Sequence, residues 1–158
     1  MGSSSTMKKD IGSHRSAMTT LFEKILTGDI PSHCVASGEG WYAFLDIFPR
    51  REGHTLVIPR RGVQRLADLS PKEQADLMEG VTRVQHVLGQ RFETTDFTVC
   101  VHDGPLAGQE VPHVHVHVLP RTENDGGATL MAMWPKTNLA EPDHAALASL
   151  ASSLQDVK

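Results

Sequence analysis

The stretch from His113 to Pro120, HVHVHVLP, alternates imidazole with valine three times. Strict period-two alternation is the mark of a β-strand, in which successive side chains point to opposite faces. Val114, Val116 and Val118 then share one face, suited to an apolar core, and His113, His115 and His117 share the other. At about 3.4 Å of rise per residue these histidines follow one another at about 7 Å, so each can touch a different part of one small ligand.

Three readings of that face stand side by side. Histidines two apart on a strand can converge on zinc at about 2.0 to 2.1 Å, with His54, His102 and Asp103 as further ligands, although no carboxylate or cysteine lies at a familiar zinc spacing. A solvated face carrying histidines by chance is the plain structural reading. In the third, a neutral imidazole held on a rigid strand attacks an electrophile while its neighbours position it and stabilise developing charge. Phosphorus suits that chemistry, because an N-phosphorylated imidazole is labile enough to hydrolyse in a second step.

The segment before the strand favours phosphorus. Gly104, Pro105, Leu106, Ala107, Gly108 and Gln109 form a loop whose small residues let backbone N–H groups approach phosphate oxygens closely. Read alone it is a glycine-containing turn; beside three histidines on one face it becomes a phosphate-binding candidate.

The rest of the chain sets bounds. Its 158 residues, with 39% hydrophobic, suffice for one domain with one core. A formal charge of -4 and a pI near 6.1 argue against a protein that grips nucleic acid by neutralising phosphates. No apolar run is long enough to span a membrane and no secretory signal is visible, so a cytoplasmic location is expected. Cys34 and Cys100, without a Cys-x-x-Cys pair, read as reduced thiols, Cys100 as a core strand residue. The polar, serine-rich residues 1–20 read as a flexible or cloning-derived leader, with Met7 and Met18 both possible native starts.

LFEKILTGD predicts a short helix with Leu21, Phe22 and Ile25 on one side, stopped by Gly28 and Pro31. WYAFL (Trp41 to Leu45), TLVI (Thr55 to Ile58) and FTVCV (Phe97 to Val101) read as strands, the first two joined through Pro49 and Gly53. Ser70, Pro71 and Glu73 form a capping-box start, after which Leu77, Val81, Val84 and Leu88 recur at helical spacing, predicting a helix from Pro71 to Arg91. A short amphipathic helix is expected from Pro142 onward, through Leu147, Leu150, Ala151 and Leu154. Strands in runs with helices between some of them predict the α+β class.

His113-Val114-His115-Val116-His117-Val118-Leu119 resembles the signature of the histidine triad (HIT) family, His-φ-His-φ-His-φ-φ with φ apolar. AGQEVP before it, PR after it, FEKILTGDIPS, and YAFLDIFPRREGHTLVIPR extend the likeness over about residues 21 to 135. The resemblance implies an antiparallel sheet of about five strands with a long central helix and short terminal helices. It divides the chain into the leader (1–20), a HIT domain (21–135) and a C-terminal extension with a short helix (136–158).

By the same resemblance, His115 matches the nucleophile that attacks the α-phosphorus of a nucleotide, giving a nucleotidyl-histidine that water cleaves. His117 matches the position that contacts phosphate, and His113 and His54 match supports of the network. Asp46 falls where members bind the ribose hydroxyls, and Phe22, Ile25 and Ile47 fall at the base pocket. Gly108, Gln109, Glu110 and Val111 match the phosphate-contacting turn, and His102 stands where several members carry Asn or Gln.

Glu110 replaces a Ser or Thr of some branches. Thr20 and Glu23 stand where some bacterial members open with Cys-x-x-Cys, so no structural zinc, no other metal and no cofactor are expected. A triad ending in histidine rather than glutamine points to hydrolases. The implied function is hydrolysis at the α-phosphate of purine nucleotides (AMP or GMP derivatives) of the nucleoside 5'-phosphoramidate type, as in the Hint-like branch. A Fhit-like dinucleoside polyphosphate hydrolase is the alternative, and a nucleotide-binding sensor without turnover the reading of another class. A homodimer is implied, with Trp134 matching a residue that reaches the neighbouring site.

Overall fold

In a computed structural model of the chain, residues 19–133 and 141–155 are described. They divide into two compact units, the first ending at Asp125 and the second beginning at Gly126. The leader up to Met18, and Trp134, lie outside the described residues.

The first unit is built on five antiparallel strands: β1 (Cys34–Ser37), β2 (Trp41–Leu45), β3 (Thr55–Pro59), β4 (Phe97–Val101) and β5 (Val116–Pro120), in the spatial order β1-β2-β3-β5-β4. The α+β expectation is met. β1, four residues long and nowhere buried, was not legible in the sequence. The histidine strand begins later than the alternation suggests: Val114 N–H already bonds Val63 O, but the regular ladder starts at Val116, after Pro112.

One face carries Trp41 and Ala43 of β2, Val57 of β3, and Val114, Val116 and Val118. Across it lies α2 (Pro71–Phe92), which buries Leu77, Val81, Val84 and Leu88, as the periodicity predicts. Each such side chain contributes about 1.5–3 kcal/mol when removed from water. The capping box of Ser70 and Glu73 is formed, with Pro71 at the first turn, and the helix ends on Glu93 in the left-handed conformation.

The opposite face holds Phe44, Leu56 and Ile58, covered by Phe22 of α1 (Leu21–Leu26). Leu21 departs from its expected place: it is exposed, and Phe22 and Ile25 carry the contact. Thr20, assigned to the leader from the sequence, is α1's N-cap, in a second capping box with Glu23. Cys100 also departs from expectation. It is exposed on the edge strand β4, paired with His117 on the histidine face rather than buried under α2.

In the second unit, α3 (His144–Gln155) confirms the C-terminal helix, with Leu147, Leu150 and Leu154 exposed. Among the described residues no helix is long and apolar enough to cross a membrane.

Candidate active site

The hydrogen-bond partners of the histidines fix which ring nitrogen carries the proton. His115 Nδ1 lies 2.7 Å from the backbone oxygen of His113, a group that can only accept, so Nδ1 is the N–H and Nε2 keeps its lone pair. His113 Nε2 lies 2.8 Å from Pro59 O and must donate to it, so its Nδ1 accepts from the Thr20 hydroxyl at 2.9 Å. Thr20 Oγ1 in turn accepts from Glu23 N–H. α1, the end of β3 and the first triad histidine are thereby stapled together, and the carbonyl that orients His115 is held still.

A second chain orients His117. Arg50 N–H donates to His54 Nδ1 at 3.1 Å, which leaves the proton of neutral His54 on Nε2. That Nε2–H donates to His117 Nδ1 at 2.9 Å, and His117 accordingly carries its own proton on Nε2. His117 Nε2 is buried with no partner among the described residues: an N–H donor facing no acceptor. Asp46, in the turn after β2, comes within 3.6 Å of His54 Nε2 and accepts from Phe48 N–H.

Asp46, His54 and His117 offer ligand atoms within 4.8 Å of one another, the spacing of a metal site. Their wiring is that of a hydrogen-bond chain. His54 Nε2 has a hydrogen rather than a lone pair, because Arg50 already occupies Nδ1 as a donor.

The loop before β5 takes a 3-10 turn over Pro105–Ala107, flanked by Gly104 at φ 110° and Gly108 at φ 97°, both conformations that favour glycine. It is tied down by Gln109, whose buried amide donates to Gln64 O, and by Asp103, which accepts from Leu66 N–H. Gln109 Nε2 is thus engaged within the protein, while its Oε1 is buried with no partner among the described residues. The N–H groups of Glu110 and Val111 have no partner among the described residues. His102 stands at the loop's other end, its ring over Gly108 and 5.3 Å from the ring of His117.

The model of the HIT domain matches residues 27–124. The chain belongs to the HIT family. It is 34% identical over 136 residues to adenosine 5'-monophosphoramidase hnt1 of Schizosaccharomyces pombe, covering 86% of this chain and 98% of that one. It is 47% identical over 83 residues to the asymmetrical bis(5'-nucleosyl)-tetraphosphatase of the same yeast, covering 52% of this chain but only 46% of that one. Among solved structures, a member of the HIT family from Bacillus subtilis superposes with a TM-score of 0.77 at 30% identity, covering 88% of this chain and 96% of that one.

The surroundings of the HIT histidines disfavour their charged forms. Burial, as the largest cause, lowers His54, His113 and His115 below the ordinary imidazole range. His117 goes furthest, to about 4, through burial and then the neighbouring imidazoles of His115, His54 and His102. A neutral His115 has the lone pair a nucleophile needs, and a neutral His117 still donates from Nε2.

The structure gathers most of the residues singled out from the sequence. Phe22 is buried, edge-on to the rings of His115 at 5.1 Å and His113 at 5.6 Å, so it packs against both triad rings. Ile25 and Val111 pack beside it. Ile47 is exposed next to Asp46, together with Phe48, and Glu110 is exposed on the loop. The sequence reading missed the part played by Thr20 at His113. The signal was present, since Thr20-x-x-Glu23 has the same capping-box pattern that was read at Ser70.

Proposed function

We propose that this HIT protein hydrolyses purine nucleotide derivatives at the α-phosphorus, of the nucleoside 5'-phosphoramidate type, with His115 as the nucleophile. The observation that carries the reading is the pairing of two nitrogens: His115 Nε2, left with a lone pair by the bond at Nδ1, and the unpartnered N–H of His117 Nε2. Nε2 of His115 attacks phosphorus. His117 Nε2–H and the free amides of Glu110 and Val111 receive the non-bridging oxygens, whose charge grows in the transition state. Asp46, with one carboxylate oxygen used on Phe48 N–H, has acceptor capacity left for ribose hydroxyls.

Water then cleaves the nucleotidyl-histidine, and His115 is restored. Mass spectrometry of protein trapped with a slowly turned-over AMP derivative should show the nucleotidyl adduct on His115. A His115→Ala variant with full hydrolytic activity would end the proposal. Turnover also separates the enzyme from a nucleotide sensor, which binds without forming product.

A second reading, dinucleoside polyphosphate hydrolysis, is favoured by the higher identity of the chain to the tetraphosphatase over the segment they share. A kinetic panel of both substrate types decides between them. We also infer a homodimer, supported by the edge position of β4 and its exposed Val99; light scattering should give twice the chain mass. The free thiols of Cys34 and Cys100 fit the reducing cytoplasm.

A further inference from the structure

Arg60, Arg61 and Arg65 follow the end of β3, and they differ in what they hold. Arg60 spends Nε and Nη2 on Gly38 O, at 3.1 and 2.9 Å. Arg61 spends the same two nitrogens on the Glu73 carboxylate, closing a bidentate ion pair. Arg65 uses only Nη1, on the backbone oxygen of Asp103 at 3.2 Å. Among the described residues no carboxylate pairs with it, and its Nε and Nη2 have no partner. The Asp103 side chain is turned onto Leu66 N–H instead.

This unneutralised guanidinium stands on the loop that precedes the histidine strand. Gly104, at φ 110°, opens that loop, and the space a Cβ would take there is filled by Arg65 Nη1. The loop closes on itself through Gln109 N–H, which donates to Gly104 O at 3.1 Å. The residue over Gly104 therefore stands beside the loop's other end, where the amides of Glu110 and Val111 are free. The backbone around Arg65 is registered to the same loop and strand. Val63 O accepts from Val114 N–H, Gln64 O from Gln109 Nε2, and Leu66 N–H donates to Asp103. Arg65 itself is exposed, so its free donors are open to a solvated ligand.

We propose that Arg65 sets the leaving-group preference of this site by binding the phosphates beyond the α-phosphate of a dinucleoside polyphosphate. The proposal rests on His115 attacking the α-phosphorus and deepens the second reading above. As the bond from His115 Nε2 to that phosphorus forms, the bond from phosphorus to the bridging oxygen breaks, and its electron pair stays on the departing oligophosphate. A guanidinium meets phosphate oxygens bidentately and keeps its charge at every working pH. Because negative charge grows on the departing oxygen, the contact with Arg65 strengthens towards the transition state. An amine expelled from a phosphoramidate brings neither phosphate oxygens nor negative charge, and gains nothing from it.

The test uses the full chain, its Arg65→Gln and Arg65→Lys variants, diadenosine tetraphosphate and an adenosine phosphoramidate. Losing the bond to Asp103 O loosens the loop for both substrates alike, by about 2- to 3-fold in kcat/KM. Losing the phosphate contact adds a selective cost: Arg65→Gln should fall about 30-fold on the tetraphosphate, and Arg65→Lys, which keeps the charge, should recover part of that. Added salt should slow the parent on the tetraphosphate more than it slows Arg65→Gln. Equal losses on both substrates would mean that Arg65 only braces the loop, and either that result or no loss at all overturns the proposal.

Inorganic tripolyphosphate gives a readout without turnover. Calorimetry should show the parent binding it about 10-fold more tightly than Arg65→Gln, and equal affinities overturn the proposal. If the His115 adduct forms while tripolyphosphate binding ignores Arg65, the assignment of Arg65 alone is wrong. If the parent forms neither adduct nor product while that binding still depends on Arg65, the catalytic reading fails and the phosphate contact survives it.

Discussion

His54 Nε2 lies 2.9 Å from His117 Nδ1, joining a turn residue and a strand residue 63 positions apart in the chain. The bond decides what His117 can do. With Nδ1 occupied as an acceptor, the single proton of a neutral ring must sit on Nε2, where it is buried and unpaired. The energy of leaving that donor unsatisfied, about 1–3 kcal/mol, is recovered only when an acceptor such as a phosphate oxygen arrives.

Removing His54 should release the tautomer. In a His54→Ala variant, His117 Nδ1 loses its donor and the ring spends much of its time with the proton on the wrong nitrogen. A fall in kcat of about 10-fold is expected, with KM changing less, since the lost interaction strengthens in the transition state. Steady-state kinetics on the better of the two substrate types makes the check; an effect on KM alone would contradict it.

The same wiring predicts indifference to chelation. A donor N–H on His54 cannot bind a cation, so protein treated with EDTA and freed of it by gel filtration should retain full activity. Loss of activity restored by one divalent metal would mean that Asp46, His54 and His117 act as ligands instead.

Parts of this were legible in the sequence, and the reasons differ. HVHVHV could be read because its two faces meet environments of opposite polarity: all three valines are buried under α2, and the imidazoles line the other side. α2 was legible because capping, proline placement and apolar period agree. β1 was not, since its residues are partly exposed and carry no alternation. Cys100 misled because an apolar strand pattern does not reveal that its strand is the sheet's edge. At the site, residue types were visible, but the tautomers depend on the backbone groups of Arg50, Pro59 and His113, which no side-chain pattern reports.

Gly80 shows the limit from another side. Helix propensity counts a glycine in the middle of α2 as a defect. Yet it is buried, and an added Cβ would lie 2.7 Å from the Trp41 ring and 2.8 Å from Val57. Gly80→Ala should destabilise the protein by about 1–3 kcal/mol despite the better helix former. Urea unfolding measures it, and a stabilised variant would show that α2 can move off the sheet.

Stability should fall as the solution is acidified before any carboxylate pair is lost. Each buried histidine has a folded pKa below its unfolded value of 6.5, so the unfolded chain binds more protons and gains as pH drops through that value. His117, lowered to about 4, contributes on the order of 2 kcal/mol after allowance for its partial exposure. The Glu73 carboxyl, held at about 2 by Arg61, responds only below its ordinary 4.5. Unfolding free energy measured from pH 7 to pH 4.5 should therefore decline, and a flat profile would show that the histidines are solvated.

Thr20→Val tests the staple between α1 and the triad. Valine keeps the shape of threonine but removes the hydroxyl that accepts from Glu23 N–H and donates to His113 Nδ1. Loss of the N-cap accounts for about 1 kcal/mol, and an unsatisfied nitrogen on a fully buried histidine for about 1–3 kcal/mol more. His113 Nε2 keeps its bond to Pro59 O, so the carbonyl that holds His115 should stay in place. The expected outcome is a protein less stable to urea by about 2–4 kcal/mol that still forms the His115 adduct. Loss of the adduct in a folded variant would mean that Thr20 governs the position of His115 as well as the attachment of α1.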